Sequence, residues 1–147
     1  MEIATNRKAR FNYEIIEKYE AGVELQGTEV KSCRNKSISI AEAFVAFESG
    51  EAWMRESHIS PYEQGNRNNH EPKRKRRLLL HKREIRKLMR EVEQKGLSVI
   101  PLSVHLKRGK IKISIGLCRG KNTVDKRDSI KKRDNDRALQ RLKNKTL

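Results

Sequence analysis

Four histidines and two cysteines are the residues of this 147-residue chain best suited to metal binding or nucleophilic chemistry. A metal centre needs Cys and His gathered at short spacing, whereas Cys33, Cys118, His58, His70, His81 and His105 are scattered singly. Two cysteines cannot make a disulfide framework, so free thiols are expected. Residues 116–121 resemble a phosphate loop superficially. They are one residue short between the glycines, however, and Asn122 stands where Ser or Thr would hold magnesium. No Ser or Cys is marked by a placed His and acid, and a histidine-based ribonuclease is the weakest reading. The expectation is a non-enzyme with no catalytic residue, no metal and no cofactor.

Cations carry the stronger signal. Thirty-five Lys and Arg against nineteen Asp and Glu give a net charge of +16, which disfavours a cationic ligand and favours a polyanion. The excess is gathered in blocks. Residues 73–90 hold ten basic side chains and one acid, and residues 121–147 hold ten and four, which leaves the remainder nearly neutral. Lys and Arg bind phosphates by releasing counterions. Aromatic residues are only 5% of the chain, too few for a binder of single strands that works by base stacking. Folded RNA, read by shape and backbone, is the expected target.

These cations must be positioned by a small set of elements. In residues 11–20 Phe11, Tyr13, Ile15 and Tyr19 recur at alternate places, the period of a half-buried strand. Thr28 is placed as the N-cap of a short helix, with Glu29 in its first turn. Residues 38–47 and 51–59 form a hairpin about Ser49-Gly50. Residues 60–72 are a loop. Ile85, Leu88, Met89 and Val92 mark an amphipathic helix with Arg83, Arg86, Lys87 and Arg90 outward and Gly96 as its stop. Residues 97–106 and 110–118 form a second hairpin about Arg108-Gly109, with Ile111, Ile113, Ile115 and Leu117 on one face.

The predicted fold is mainly β with helices. It is an OB-fold-like antiparallel β-barrel over residues 1–120 with two or three flanking helices, and an open α+β sandwich is the alternative. Residues 121–147 are expected to be a basic tail, disordered when free, because their few apolar side chains cannot offset the entropy of ordering. A thin stripe of Ile130, Ala138 and Leu142 predicts that a polyanionic surface folds the tail into a helix. No run approaches the roughly 20 apolar residues of a membrane span, and residues 1–10 carry no apolar stretch, so a cytoplasmic chain with no membrane contact is expected.

Four separated stretches carry a likeness. Asn6-Arg7-Lys8-Ala9-Arg10, residues 19–32 (YEAGVELQGTEVKS), Arg77-Leu78-Leu79-Leu80 and Asp125-Lys126-Arg127, in register over residues 6–142, closely resemble the small protein B (SmpB) family of tmRNA-binding proteins. The resemblance implies an OB barrel that binds the tRNA-like domain of transfer-messenger RNA. With elongation factor Tu, such a protein brings alanyl-tmRNA to stalled ribosomes so that the nascent peptide is tagged for degradation. It also implies that Asn6, Glu20, Leu79 and Lys112 face tmRNA, with Lys8, Arg10 and Lys31 beside them. In the tail Lys121, Asp125, Lys126 and Arg127, followed by Lys131, Lys132 and Arg133, correspond to the segment that reads the decoding centre and vacant messenger channel. Asn122 and Val124 depart from the Lys-Lys pair and the aromatic or His that many relatives carry. The competing reading is a structural ribosomal RNA-binding protein.

Overall fold

The computed structural model describes residues 1–63 and 69–121. Its elements are β1 (Glu2–Thr5), α1 (Arg7–Asn12), β2 (Tyr13–Val23), α2 (Gly27–Arg34), β3 (Ile38–Ser39), β4 (Phe44–Glu48), β5 (Glu51–Arg55), β6 (His58–Ile59), β7 (Arg76–Leu79), α3 (Lys82–Lys95), β8 (Ser98–Lys107) and β9 (Lys110–Gly120). Seven strands pair in the order β1-β8-β4-β5-β7-β2-β9, and β9 returns to β8, so six of them form a ring with β1 attached to β8. Its seams are uneven. β4 meets β8 only at Val45–Val99, and β2 meets β7 over two residue pairs. The molecule is therefore mainly β with three helices among the described residues, and its ring is OB-like without being a fully closed barrel.

Both predicted two-residue turns are present. Ser49 and Gly50 have φ of 51° and 76°, and Arg108 and Gly109 have 52° and 78°. Positive φ at both central residues gives the twist that suits a tight hairpin. The longer arms of the first hairpin break, however. Ala43 N–H donates to Ile40 O at 3.1 Å and Glu56 has φ 60°, so β3 and β6 separate into a small second sheet.

Two local expectations are corrected. The strand expected from Phe11 begins at Tyr13, because Asn6 accepts a hydrogen bond from Ala9 N–H and caps a helix through Asn12. The second correction concerns α2, which starts two residues earlier than expected. Gln26 is its N-cap and donates its backbone N–H to Glu29 Oε1 at 2.8 Å, while Thr28 Oγ1 lies 2.9 Å from His70 Nδ1. α3 forms as read, with Ile85 and Leu88 buried and Gly96 left-handed at φ 64°.

The core fills the ring. Val99, Val104, Ile111, Ile113, Ile115 and Leu117 meet Ala21, Met54, Leu78 and Leu88 inside it. Each buried branched side chain contributes about 1.5–3 kcal/mol. On the outer side of β8 and β9 a second cluster of Ala9, Ile100, Leu102 and Cys118 lies under α1. A Cβ at Gly116 would stand 2.8 Å from Leu102 Cδ1, so a larger residue there must displace that side chain. Burial pushes the thiols of Cys33 and Cys118 up to about 12 and about 11, so both stay protonated.

The polar element of the interior is Glu29. It accepts from Arg76 Nε at 2.7 Å and Arg74 Nη2 at 2.6 Å, and both Glu29 and Arg76 have no solvent exposure. Arg76 also donates to Ser57 O and Oγ and to the carbonyls of Glu71 and Pro72. Burial works against the charge of Glu29, but Arg74, the Gln26 amide and Arg76 together outweigh it and hold the carboxyl below its ordinary 4.5.

This pairing should be measurable. Glu29→Gln leaves the buried Arg76 cation without its counter-charge and is expected to cost about 3–5 kcal/mol at neutral pH, read as a lower denaturant midpoint at unchanged m. A carboxyl depressed on folding stabilises above its unfolded pKa and loses that contribution as pH falls through its folded one. The gap between variant and wild type should therefore narrow below pH 4.5.

Candidate nucleic-acid interface

Three of the residues singled out in the sequence meet at one end of the ring. β2 brings Glu20 and Gly22, β7 brings Leu79 and β9 brings Lys112. The registers Gly22–Leu79 and Gly22–Lys112 place the last two on either side of the glycine. Glu20, Leu79, Lys112 and the start of α3 at His81 line a cleft of about 360 Å³. Beyond Leu79 a second hollow of about 310 Å³ reaches Val30 on α2 and Lys110. Leu79 is the ridge between them and is 47% exposed, whereas Leu78 beside it is wholly buried. A leucine held out of a nearby core by its strand's alternation offers apolar contact to a partner. Gly22 makes room for it, because a Cβ there would meet Leu79 Cβ at 3.2 Å.

The electrostatics of this end are set by Glu20. Lys107 Nζ donates to its Oε2 at 3.3 Å, and His105 Nε2 lies 2.9 Å from its Oε1. Hydrogen bonding to His105 first, and to Lys107 second, holds the Glu20 carboxyl below the usual range. Ionised, it accepts hydrogen bonds and donates none, which suits base amines and 2′-hydroxyls. Lys112 supplies a cation on the same wall. His105 and Lys107 were not singled out as RNA-facing in the sequence, although the two-residue turn fixes their partners on β9. Counting back from Arg108-Gly109 pairs Lys107 with Lys110 and His105 with Lys112.

The remaining residues lie elsewhere. Asn6, Lys8 and Arg10 belong to α1 or its cap, which adjoins the opposite end of β2, about 30 Å along the strand from Gly22 at ~3.3 Å per residue. Asn6 is only 2% exposed. Its Nδ2 donates to Ile40 O and Pro101 O, each at 3.0 Å, so its amide is committed to the fold. The bulge in β8 between Pro101 and Ser103 frees the Pro101 carbonyl, and Leu102 O takes the Asn6 N–H. Lys8 is exposed and paired with Glu42, and Arg10 is exposed. Lys31 lies over the Tyr62 ring at 5.4 Å. Lys121 donates its backbone N–H to Asn12 O at 2.9 Å, so the chain leaves the ring beside α1. Asp125, Lys126, Arg127, Lys131, Lys132 and Arg133 lie outside the described residues.

The first basic block is less open than its composition implies. Arg74 and Arg76 hold Glu29, Lys73 pairs with Glu56, Lys75 with Glu48, Arg77 with Glu24 and Glu51, and Lys87 with Glu17. More than half of its cations thus serve the fold. No group of His, Cys, Asp or Glu among the described residues is arranged to hold a metal, and no described helix is long and apolar enough to cross a membrane.

The family profile described as SmpB protein matches residues 3–145. The chain is 55% identical over 140 residues to the SsrA-binding protein of Trichodesmium erythraeum (strain IMS101), covering 95% of this chain and 90% of that one. It is 51% identical over 139 residues to the SsrA-binding protein of Carboxydothermus hydrogenoformans, with 95% and 93% covered. A solved chain described as "tmRNA-SmpB: a journey to the center of the bacterial ribosome" superposes with a TM-score of 0.68 at 48% identity, over 92% of this chain and 96% of that one. By sequence profile, relatives and fold together, the chain belongs to the SmpB family.

Proposed function

We propose that this chain is an SsrA-binding protein of trans-translation, which binds the tRNA-like domain of tmRNA and brings alanyl-tmRNA to stalled ribosomes so that the nascent peptide is tagged. The observation that carries the reading is the meeting of Glu20, Leu79 and Lys112, from three strands distant in sequence, on one exposed cleft. Lys112 attracts phosphate, Glu20 accepts from base amines or 2′-hydroxyls, and Leu79 gives an apolar contact. Lys31, on the helix behind the second hollow, extends the basic margin. Asn6 acts as a positioning residue that seats α1, whose Lys8 and Arg10 offer charge beside the exit of the tail.

The two ends divide the labour. The ring over residues 1–120 grips the RNA at the cleft, and residues 121–147 leave from the far end to engage the decoding centre and messenger channel. Elongation factor Tu joins through the aminoacylated end of tmRNA. The chain's own chemistry is binding, it needs no cofactor, and its place is the cytoplasm, where ribosomes stall.

Three measurements test this reading. In a gel shift the chain should retain a tmRNA transcript at concentrations that leave bulk tRNA free, and equal retention of both would reject it. Glu20→Ala combined with Lys112→Ala should weaken capture by tenfold or more, on about 1.5–3 kcal/mol per hydrogen bond to a charged group, with an unchanged thermal transition. Removing residues 125–147 should spare most transcript binding while abolishing peptide tagging on stalled ribosomes. Loss of both together would remove the division of labour.

A further inference from the structure

Four cations of the first basic block make no ion pair among the described residues: Lys82, Arg83, Arg86 and Arg90. All four are exposed and all lie on α3. At about 100° per residue they fall within roughly a quarter to a third of the helix circumference, away from the stripe of Ile85, Leu88 and Val92. From Lys82 to Arg90 the row runs about 12 Å at 1.5 Å per residue. The other basic residues of the helix differ, since Lys87 is held by Glu17 and Lys95 by Glu91. Acids do not neutralise the row. Glu84 accepts from His81 N–H and Glu91 pairs with Lys95, while Glu93, one turn beyond Arg90 on the same face, makes no ion pair among the described residues.

Such a row is unfavourable for the helix itself. Lys82, Arg86 and Arg90 repeat at i, i+4 and i+8, and like charges at that spacing destabilise a helix by a few tenths of a kcal/mol per pair. The row also starts at the cleft, because His81 and Glu84 line the same hollow as Glu20, Leu79 and Lys112. From there α3 runs toward the α1 end, where Val92 lies beside Asn6 and Phe11.

We infer that the Lys82, Arg83, Arg86 and Arg90 ridge of α3 is a second phosphate-binding track, which carries the backbone of the tRNA-like RNA onward from the cleft. This rests on the reading of the cleft as an RNA site. Counterion release makes the logarithm of the binding constant fall linearly with the logarithm of salt, in proportion to the phosphates contacted.

The test is a salt titration of a tRNA-like-domain transcript against the full chain. Arg86→Ala with Arg90→Ala should make the slope shallower by about 2, at one per phosphate contact. Lys75→Ala with Lys95→Ala removes the same net charge from ion-paired sites and should leave the slope as it is. Alanine preserves helix propensity, and should the first pair fail to fold, Arg86→Gln with Arg90→Gln gives the same readout. An unchanged slope, or an equal fall in both pairs, overturns the ridge while leaving the cleft standing. A slope change seen only with ribosomes lacking tmRNA overturns it too, and assigns the ridge to ribosomal RNA. If the wild-type chain ignores the transcript, the reading of the cleft falls and the ridge with it.

Discussion

The arrangement of the cleft between β2, β7 and β9 depends on one buried carboxylate. Glu29 lies at the start of α2 with no solvent exposure, and Arg76 meets it from β7. β7 is only four residues long and is held by three pairs to β5 and two to β2. So short a strand has little of its own to resist slipping, and a slip of one residue would turn Leu79 inward and Leu78 outward. The fork of Arg76 prevents this by holding Glu29 on one side and Ser57, Glu71 and Pro72 on the other. The register that exposes Leu79 is thereby tied to the helix, to the segment after β5 and to the loop preceding β7.

The same network changes what a basic composition means. Cations that look interchangeable in the chain fall into three physical situations. Arg76 is buried and its charge is fully answered. Lys75 and Arg77 lie on the sheet surface in ion pairs, with Lys75 also 4.5 Å from the Trp53 ring. Surface pairs of this kind add little stability, but they answer the charge of Lys75 and Arg77. Within the first basic block the unanswered charge is thereby left on the exposed side of α3, a division that a net charge of +16 does not reveal.

Separation of the two ends follows from β2. Its C-terminal half carries Glu20 and Gly22 into the cleft, while its first residue follows α1, beside which Lys121 leaves. An interaction at the cleft and one made by the tail can therefore proceed without competing for the same surface.

Much of the architecture was legible from local pattern. The two hairpin turns, the apolar face of β9 and the stripe and stop of α3 are short-range consequences of side-chain period and of glycine at positive φ, and they needed no knowledge of distant partners. The resemblance pointed to Glu20, Leu79 and Lys112 individually. What the chain could not reveal alone is which of its motif residues work on the surface and which work inside. Asn6 reads as a polar residue free to bind, yet a bulge in β8, some 95 positions away, supplies the carbonyl that buries it. Arg76 reads as one cation in a run of five, yet Glu29 draws it into the core. His105 and Lys107 carry no motif, and they acquire a role because antiparallel pairing sets them against Glu20. In each instance the deciding interaction is a contact between elements far apart in sequence, and only the tertiary packing of strands and helices brings those elements together.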